Sequence, residues 1–372
     1  MSERIRDALG LTIHIGRTTV SEIKRILIYR CGAIGDTIVS IPAIRAIRNH
    51  FKDAAMILMT ATGGNGIIWS DEVLREFAWF DEYVTYNAEE LWSVRTLALI
   101  AKVRRQRADM VIYLASDRNS VLKIWRDLLF FRVAGVRRFA ACYPSKVTFW
   151  GRLKRSPHVC PSEVVRLLSC LRRRGIDGAP ATFELPIAEE RVRKVSQFLE
   201  KSGMDRTRPL IAMCPGSKQQ ATQWPIERYG EVGRRLIEMG GANIVIIGGE
   251  LERAAGEKIG RQWPRNRWVN SAAHLDLLEL AELLRNCVFY LGNDTGPMHL
   301  AVAVGTRCLG VFSAHNPLGS WHPYGDNHIV LRKNVPCQNC YLATCVKENL
   351  RCLTDIGIEE VWSACRRMLT YR

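Results

Sequence analysis

Residues 24–50 read KRILIYRCGAIGDTIVSIPAIRAIRNH. The run at 24–30 reads as a short buried strand. CGAIGD then breaks it with two glycines, and from Thr37 to His50 apolar residues recur at helical spacing. Strand, glycine turn and helix make the first step of a parallel α/β sheet. Working outward, a second strand is expected at 55–60, followed by a turn rich in Gly. A basic, helix-like stretch at 91–107 leads to a strand at 110–114. The alternation restarts after a polar helical stretch at 189–203. Strands are expected at 209–214, 243–247 and 287–291, and helices at 226–239, 251–262, 275–286 and 297–304. The fold class is therefore α/β, with two sheets in series joined near residues 185–208. The expected domains are 1–184 and 185–372.

The chain has 372 residues, 47% of them hydrophobic and 24% charged, a globular balance. No run of 18 apolar residues occurs, so a transmembrane helix is not expected. The first 17 residues lack an apolar core before a small-residue cleavage site, so the expected compartment is the cytosol, where thiols stay reduced. Fifty-three Lys and Arg face 37 Asp and Glu, for a net charge of +16. Residues 1–180 hold 29 basic and 17 acidic side chains, a net +12, and the rest carry +4. The basic clusters are Arg104, Arg105 and Arg107; Arg137 and Arg138; Lys154 and Arg155; and Arg172 to Arg174. Such a half attracts a polyanion or simply presents a solvated face. The clusters lack interleaved aromatics and no nucleic-acid-binding motif accompanies them, so no nucleic-acid partner is expected.

Three strand-to-helix turns carry chemistry. Gly292-Asn293-Asp294-Thr295-Gly296-Pro297-Met298-His299 follows a strand and opens a helix. Asp294 or Thr295 can cap that helix, Pro297 suits its first turn, and its backbone N–H groups and dipole favour a phosphate. His299 can point at the same spot; the alternative is a well-capped helix with a core histidine. Pro215-Gly216-Ser217 admits close backbone approach and adds a hydroxyl. Glu250 and Glu252, after Gly248-Gly249, sit where a carboxylate often binds ribose hydroxyls, or form an acidic helix start. Asp36 reads equally as a general base or as a helix N-cap. Neither GxGxxG nor GxxxxGK[ST] follows any of these strands, which argues against a dinucleotide oxidoreductase or a P-loop kinase.

Taken together, these segments resemble the ADP-heptose:lipopolysaccharide heptosyltransferases, glycosyltransferase family 9. The resemblance rests on ILIYRCGAIGDTIVSIPAIRAIR at 26–48, on PGS with a later Trp224-Pro225, and on GNDTGPMHLAVAVGT at 292–306. It extends through Trp321-His322-Pro323-Tyr324-Gly325 to VPCQNC. It implies a GT-B fold, two Rossmann-like domains facing across a cleft, the first for the acceptor and the second for the nucleotide sugar. The implied reaction is a metal-independent, inverting transfer of heptose from an ADP-sugar to a hydroxyl of the lipopolysaccharide inner core. Within it Asp36 is the base; Ser217, Thr295 and Gly296 cradle the diphosphate beside His299; Asp294 holds sugar hydroxyls; and Glu252 or Glu250 holds the ribose. The expected partners are that nucleotide-sugar donor and an anionic glycolipid or glycan acceptor met at the inner membrane surface, with Arg104 and Arg107 forming one basic patch. One departure stands out. The family usually has Lys two residues before the Trp-Pro pair, whereas this chain has Thr222, with Lys218 four residues earlier as a substitute. Other readings are a relative using another sugar or acceptor, and an inactive relative acting as a partner subunit.

Cys337, Cys340, Cys345 and Cys352 place four thiols within 16 residues. Four thiolates suit structural zinc or iron; the alternative is a set of reduced thiols. No cofactor is expected for catalysis, and these cysteines are expected to act through stability, away from the site.

Overall fold

The computed structural model describes residues 22–62, 73–87, 95–116, 121–142, 159–177 and 181–370. The Gly-rich turn at 63–66, the start of the 91–107 stretch and the pair Lys154 and Arg155 lie outside these residues. The chain divides into two compact units. One comprises Met1–Phe149 and Glu163–Phe183, the other Trp150–Ser162 and Glu184–Arg372.

The first unit is built on five parallel strands in the order β3-β2-β1-β4-β5: β1 (Arg25–Tyr29), β2 (Ala55–Thr62), β3 (Glu82–Asn87), β4 (Met110–Tyr113) and β5 (Arg138–Ala141). Central β1 and β4 are buried almost throughout, as a sheet covered on both faces requires. Edge strand β3, EYVTYN, is half exposed, so its sequence lacks the continuous apolar run that marks the central strands. The helix expected from Thr37 is two helices, α1 (Ile34–Ile38) and α2 (Ile41–His50). Pro42 in the first turn of α2 supplies no N–H and crowds the preceding turn, so the helix restarts there. The remaining described helices of this unit are α3 (Thr96–Arg105), α4 (Val121–Val133) and α5 (Glu163–Arg172).

The second unit has six parallel strands in the order β11-β10-β9-β6-β7-β8: β6 (Leu210–Cys214), β7 (Asn243–Ile246), β8 (Trp268–Asn270), β9 (Phe289–Asn293), β10 (Arg307–Phe312) and β11 (Ile329–Arg332). Its helices include α6 (Glu189–Lys201), α7 (Ile226–Glu238), α8 (Glu250–Gly260), α9 (Leu277–Arg285), α10 (Gly296–Ala303), α11 (Arg351–Thr354) and α12 (Ile358–Thr370). In each sheet the strand order reverses about one point, between β1 and β4 in the first and between β6 and β9 in the second. Parallel sheets bind ligands beyond the carboxyl ends of the strands flanking such a point. CGAIGD follows β1, PGS follows β6 and DTG follows β9, so the chain places its turn chemistry at those ends.

The core of the second unit joins Met213, Ile246, Leu291 and Val311 of the sheet to Val232, Leu236 and Trp263. Trp263 lies flat on α7, its Nε1 donating to the Gly230 carbonyl at 3.0 Å. A Cβ at Gly233 would overlap the indole ring. Gly233→Ala should therefore destabilise the protein by about 1–3 kcal/mol through overpacking, although Ala favours a helix over Gly by about 1 kcal/mol. Urea unfolding would show a lower midpoint; a higher one would mean that the indole moves aside at no cost.

Candidate active site

The second unit's site is assembled around one amide. Asn293, fully buried at the end of β9, donates from Nδ2 to the carbonyls of Pro215 and Gly216, each at 3.0 Å. Its Oδ1 accepts from the Trp224 N–H at 3.0 Å and the Tyr229 hydroxyl at 2.9 Å. One side chain thus ties the turn after β6, the approach to α7 and the end of β9 together. Asn293 belongs to the GNDTG motif, in which the motif chemistry assigns it no role of its own. A polar residue ending an apolar strand was the available signal, since such a group is buried only when its hydrogen bonds are made.

Thr295 is the N-cap of α10 but makes no capping bond with its side chain. Its Oγ1 turns inward to the Tyr290 hydroxyl at 3.0 Å and to the Cys214 sulfur at 3.9 Å. Burial pushes the Cys214 thiol up to about 11 and the Tyr290 phenol well above its ordinary range. Both stay neutral at physiological pH, so neither adds negative charge beneath the helix start. His299 is buried on the same helix, its ring edge-on to Trp321 at 5.9 Å. Asp294 accepts from Asn316 Nδ2 at 3.1 Å.

In the turn after β6, Ser217 and Thr222 share a hydroxyl–hydroxyl bond of 2.6 Å, and Thr222 Oγ1 donates to the Gln219 carbonyl at 3.0 Å. Thr222 is buried and braces Ser217, while Lys218 is exposed. The two carboxylates after β7 part company. Glu252 closes a capping box on the Gly249 N–H at 2.8 Å and packs so close to Gly216 that a Cβ there would overlap it. Glu250 is exposed and pairs with Arg253 at 3.7 Å. The structure thus brings Ser217, Thr222, Glu252, Asp294, Thr295, Gly296 and His299 to one end of the sheet, and leaves Glu250 on the outer face of α8.

In the first unit, Asp36 is not an N-cap. Ala33 holds that position and Asp36 lies inside the first turn of α1. Gly32, at φ +151°, has no Cβ because Asp36 occupies that space. Beneath is Arg30, wholly buried. Its Nε donates to the Asp36 carbonyl at 3.0 Å and its Nη1 to the Leu114 carbonyl at 2.7 Å. Its guanidinium also stands 3.7 Å from the Asp36 carboxylate and 3.9 Å from Glu163. Glu163 in turn receives both Nε and Nη2 of Arg166 at 2.7 Å. Two cations and two carboxylates balance, the condition under which buried charge is tolerable.

The expected patch of Arg104 and Arg107 is not a helix face. The helix ends at Arg105, and Arg107 lies beyond it at φ +48°. Arg104 donates to the Val133 carbonyl at 2.8 Å. This cluster immediately precedes β4, and Arg138 begins β5, so both stand at the amino ends of strands whose carboxyl ends adjoin Asp36.

The four-thiol expectation also changes. Among the described residues no group of three or more His, Cys, Asp or Glu side chains is placed to hold a metal ion. The Cys345 sulfur instead bonds the Lys347 carbonyl at 2.7 Å and accepts the Leu350 N–H at 3.4 Å, stitching its own turn. Nor is the segment remote from the site. Ala343 accepts from the Ala221 N–H at 3.0 Å, and the Cys345 N–H donates to Gln220 at 2.9 Å. Asn339 and Tyr341 donate from their N–H groups to Ala314 and His315. The cysteine segment braces two loops of the candidate site.

Two doubly wound parallel sheets, the second with an open helix start and converging polar loops at its switch point, define the GT-B class of glycosyltransferases. The chain belongs to glycosyltransferase family 9 (heptosyltransferase), whose family model matches residues 96–351. It is 28% identical over 168 residues to lipooligosaccharide heptosyltransferase 2 of Haemophilus influenzae, a stretch spanning 42% of this chain and 48%, about half, of that relative. Among solved structures, the family 9 glycosyltransferase of Veillonella parvula matches with a TM-score of 0.73 at 19% identity, over 94% of this chain and 98% of the other. The E. coli ADP-heptose lipopolysaccharide heptosyltransferase II matches with a TM-score of 0.66 at 19% identity, over 93% and 98%.

Asn293→Ala would leave two carbonyls, an N–H and a hydroxyl unpaired, and a buried unsatisfied group costs about 1–3 kcal/mol. The variant should lose more than about 3 kcal/mol of stability. Thr295→Val, which keeps shape, should lose less than about 1.5 kcal/mol. Urea unfolding measures both; equal losses in the two variants would deny Asn293 its organising role.

Proposed function

We propose that this protein transfers heptose from ADP-heptose to a hydroxyl of the lipopolysaccharide inner core, with inversion at the anomeric carbon. The observation that carries the reading is the convergence of PGS and DTG at the β6/β9 switch point, held by Asn293. Family membership and the ADP-heptose named for the E. coli neighbour support it.

In this reading the diphosphate lies against the start of α10, receiving the N–H groups of Thr295 and Gly296 beside the Ser217 turn. His299 stands beside it. Thr222 holds Ser217 in place, and Lys218 reaches from the same loop to add positive charge. Glu252 receives the ribose hydroxyls; its capping box fixes the carboxylate and Gly216 gives it room, features that Glu250 lacks. Asp294 receives hydroxyls of the sugar. Transfer requires the two units to present Asp36 and the sugar to each other. Asp36 takes the proton of the acceptor hydroxyl as its oxygen bonds to the anomeric carbon, and ADP departs from the opposite face carrying the bonding electron pair. Arg30 fixes the Asp36 turn through the backbone carbonyl, with its guanidinium 3.7 Å from the carboxylate.

Asp36→Asn should preserve fold and ADP binding while transfer falls about a hundredfold or more. A transfer assay beside an ADP titration tests it, and near-normal turnover would reduce Asp36 to a structural role. Thermal shifts with ADP- and UDP-sugars test the nucleotide, because ligand that binds the native state raises its apparent stability.

No helix among the described residues is long and apolar enough to cross a membrane. The Arg104–Arg107 and Arg137–Arg138 clusters stand at the amino ends of β4 and β5, so in this reading they meet an anionic surface rather than the reacting hydroxyl. Each exposed cation near such a surface contributes about 1 kcal/mol. Changing Arg104 and Arg107 together to Glu should weaken co-sedimentation with anionic vesicles by roughly a hundredfold or more and leave ADP affinity unchanged. Sedimentation that the double variant does not alter would remove the patch from this role.

A further inference from the structure

Asn316 lies in residues 313–322, the loop after β10, and only 7% of it is exposed. Its Nδ2 donates to Asp294 Oδ2 at 3.1 Å, and its backbone carbonyl accepts from Arg332 at 3.4 Å. Its Oδ1 is buried and has no hydrogen-bond partner among the described residues. The orientation of the amide follows from chemistry: a carboxylate only accepts, so Nδ2 faces Asp294 and the carbonyl is the end left over. The loop is pinned on several sides. Ala314 and His315 accept from the N–H groups of Asn339 and Tyr341 at 2.7 and 3.2 Å, and Leu318 accepts from the Cys160 N–H at 2.7 Å. Ser320 donates to the Pro317 carbonyl at 3.0 Å. An orphaned acceptor in so fixed a loop is not slack in the fold. Buried polar groups in native proteins are nearly always paired, and an exception asks for a cause.

Sheet order supplies the place. In β10-β9-β6-β7, Asn316 and Asp294 lie on the β10 side of the switch point and Glu252 on the β7 side. A ligand whose diphosphate rests between β6 and β9 then sends its nucleoside toward Glu252 and its sugar toward Asn316. The pair offers two acceptors, a carboxylate and an amide oxygen, joined by their own hydrogen bond. Ionised phosphate oxygens have no proton to give them and are repelled by Asp294. A sugar hydroxyl supplies the proton that Asn316 Oδ1 lacks, and a neighbouring hydroxyl can donate to the Asp294 carboxylate beside it.

We propose that Asn316 Oδ1 and the Asp294 carboxylate jointly receive two hydroxyls of the transferred sugar, so that Asn316 selects the sugar of the nucleotide donor. The inference rests on the ADP-heptose reading above and deepens it. Calorimetric titration of the full chain with ADP and with ADP-heptose tests it. In Asn316→Ala, ADP-heptose should bind about tenfold or more weaker, while ADP binds within about twofold of the parent, which also shows that the variant is folded. Asn316→Ser, which keeps a polar group in the loop, should show the same split. An ADP-heptose lacking the recognised hydroxyl should bind parent and variant alike. Equal weakening of ADP and ADP-heptose, or no weakening of either, overturns the assignment. A parent protein that binds ADP but gains nothing from the heptose overturns it too. A parent that binds neither overturns the donor reading itself, and the assignment with it.

Discussion

The amide of Asn293 is the constraint on which the second unit's site depends. A parallel sheet delivers its turns to one edge, but adjacency alone does not fix their conformation. Pro215 and Gly216 end a strand with carbonyls that no neighbouring strand receives, and buried carbonyls must find donors. Asn293 supplies both donors from β9 while its oxygen receives Trp224 and Tyr229. The hydrogen-bonding capacity of one residue is thereby converted into the relative placement of three loops. Thr222, Glu252 and Tyr290 then set details within a frame already fixed.

The first unit solves a different problem. It holds a carboxylate at a strand end without a hydrogen bond to its oxygens from the helix it sits on. Arg30 does this through the main chain, binding the Asp36 carbonyl rather than clamping the carboxylate, and Glu163 with Arg166 balances the guanidinium. A turn held this way leaves the Asp36 carboxylate without a bidentate arginine clamp. In the second unit Thr295 rests on a neutral thiol and a neutral phenol.

Residues 337–352 show how a sequence feature can point to the wrong physics. Four closely spaced thiols suggest a metal by count and spacing. Burial first, and then neighbouring sulfurs, raise the proton affinity of Cys337 and Cys352. Yet the backbone of this segment is occupied with Gln220, Ala221, Ala314 and His315, and Cys345 is turned into its own loop. The segment matters through main-chain hydrogen bonds, which spacing of side-chain types does not reveal.

The sequence by itself determined the alternation of buried strands and helices, because a sheet covered on both faces demands short apolar runs, and it determined that the motifs fall in turns after strands. KRILIYR, GNDTG and PGS were legible on those grounds. Edge strands such as EYVTYN were not, since their half-exposed faces carry mixed residues. Only the tertiary structure decided which turns meet. Strand order set the β6/β9 and β1/β4 switch points, and nothing local encodes that order. It separated Glu252 from Glu250, two residues apart on α8, because helix rotation turns one toward Gly216 and the other to solvent. It moved Arg104 and Arg107 to the strand ends away from Asp36, because successive parallel strands return the chain to the same edge. And it gave Asn293 and Asn316 their roles, because the worth of a buried amide depends on partners distant in sequence: 77 and 78 residues away for the carbonyls Asn293 holds, 22 for the carboxylate Asn316 holds.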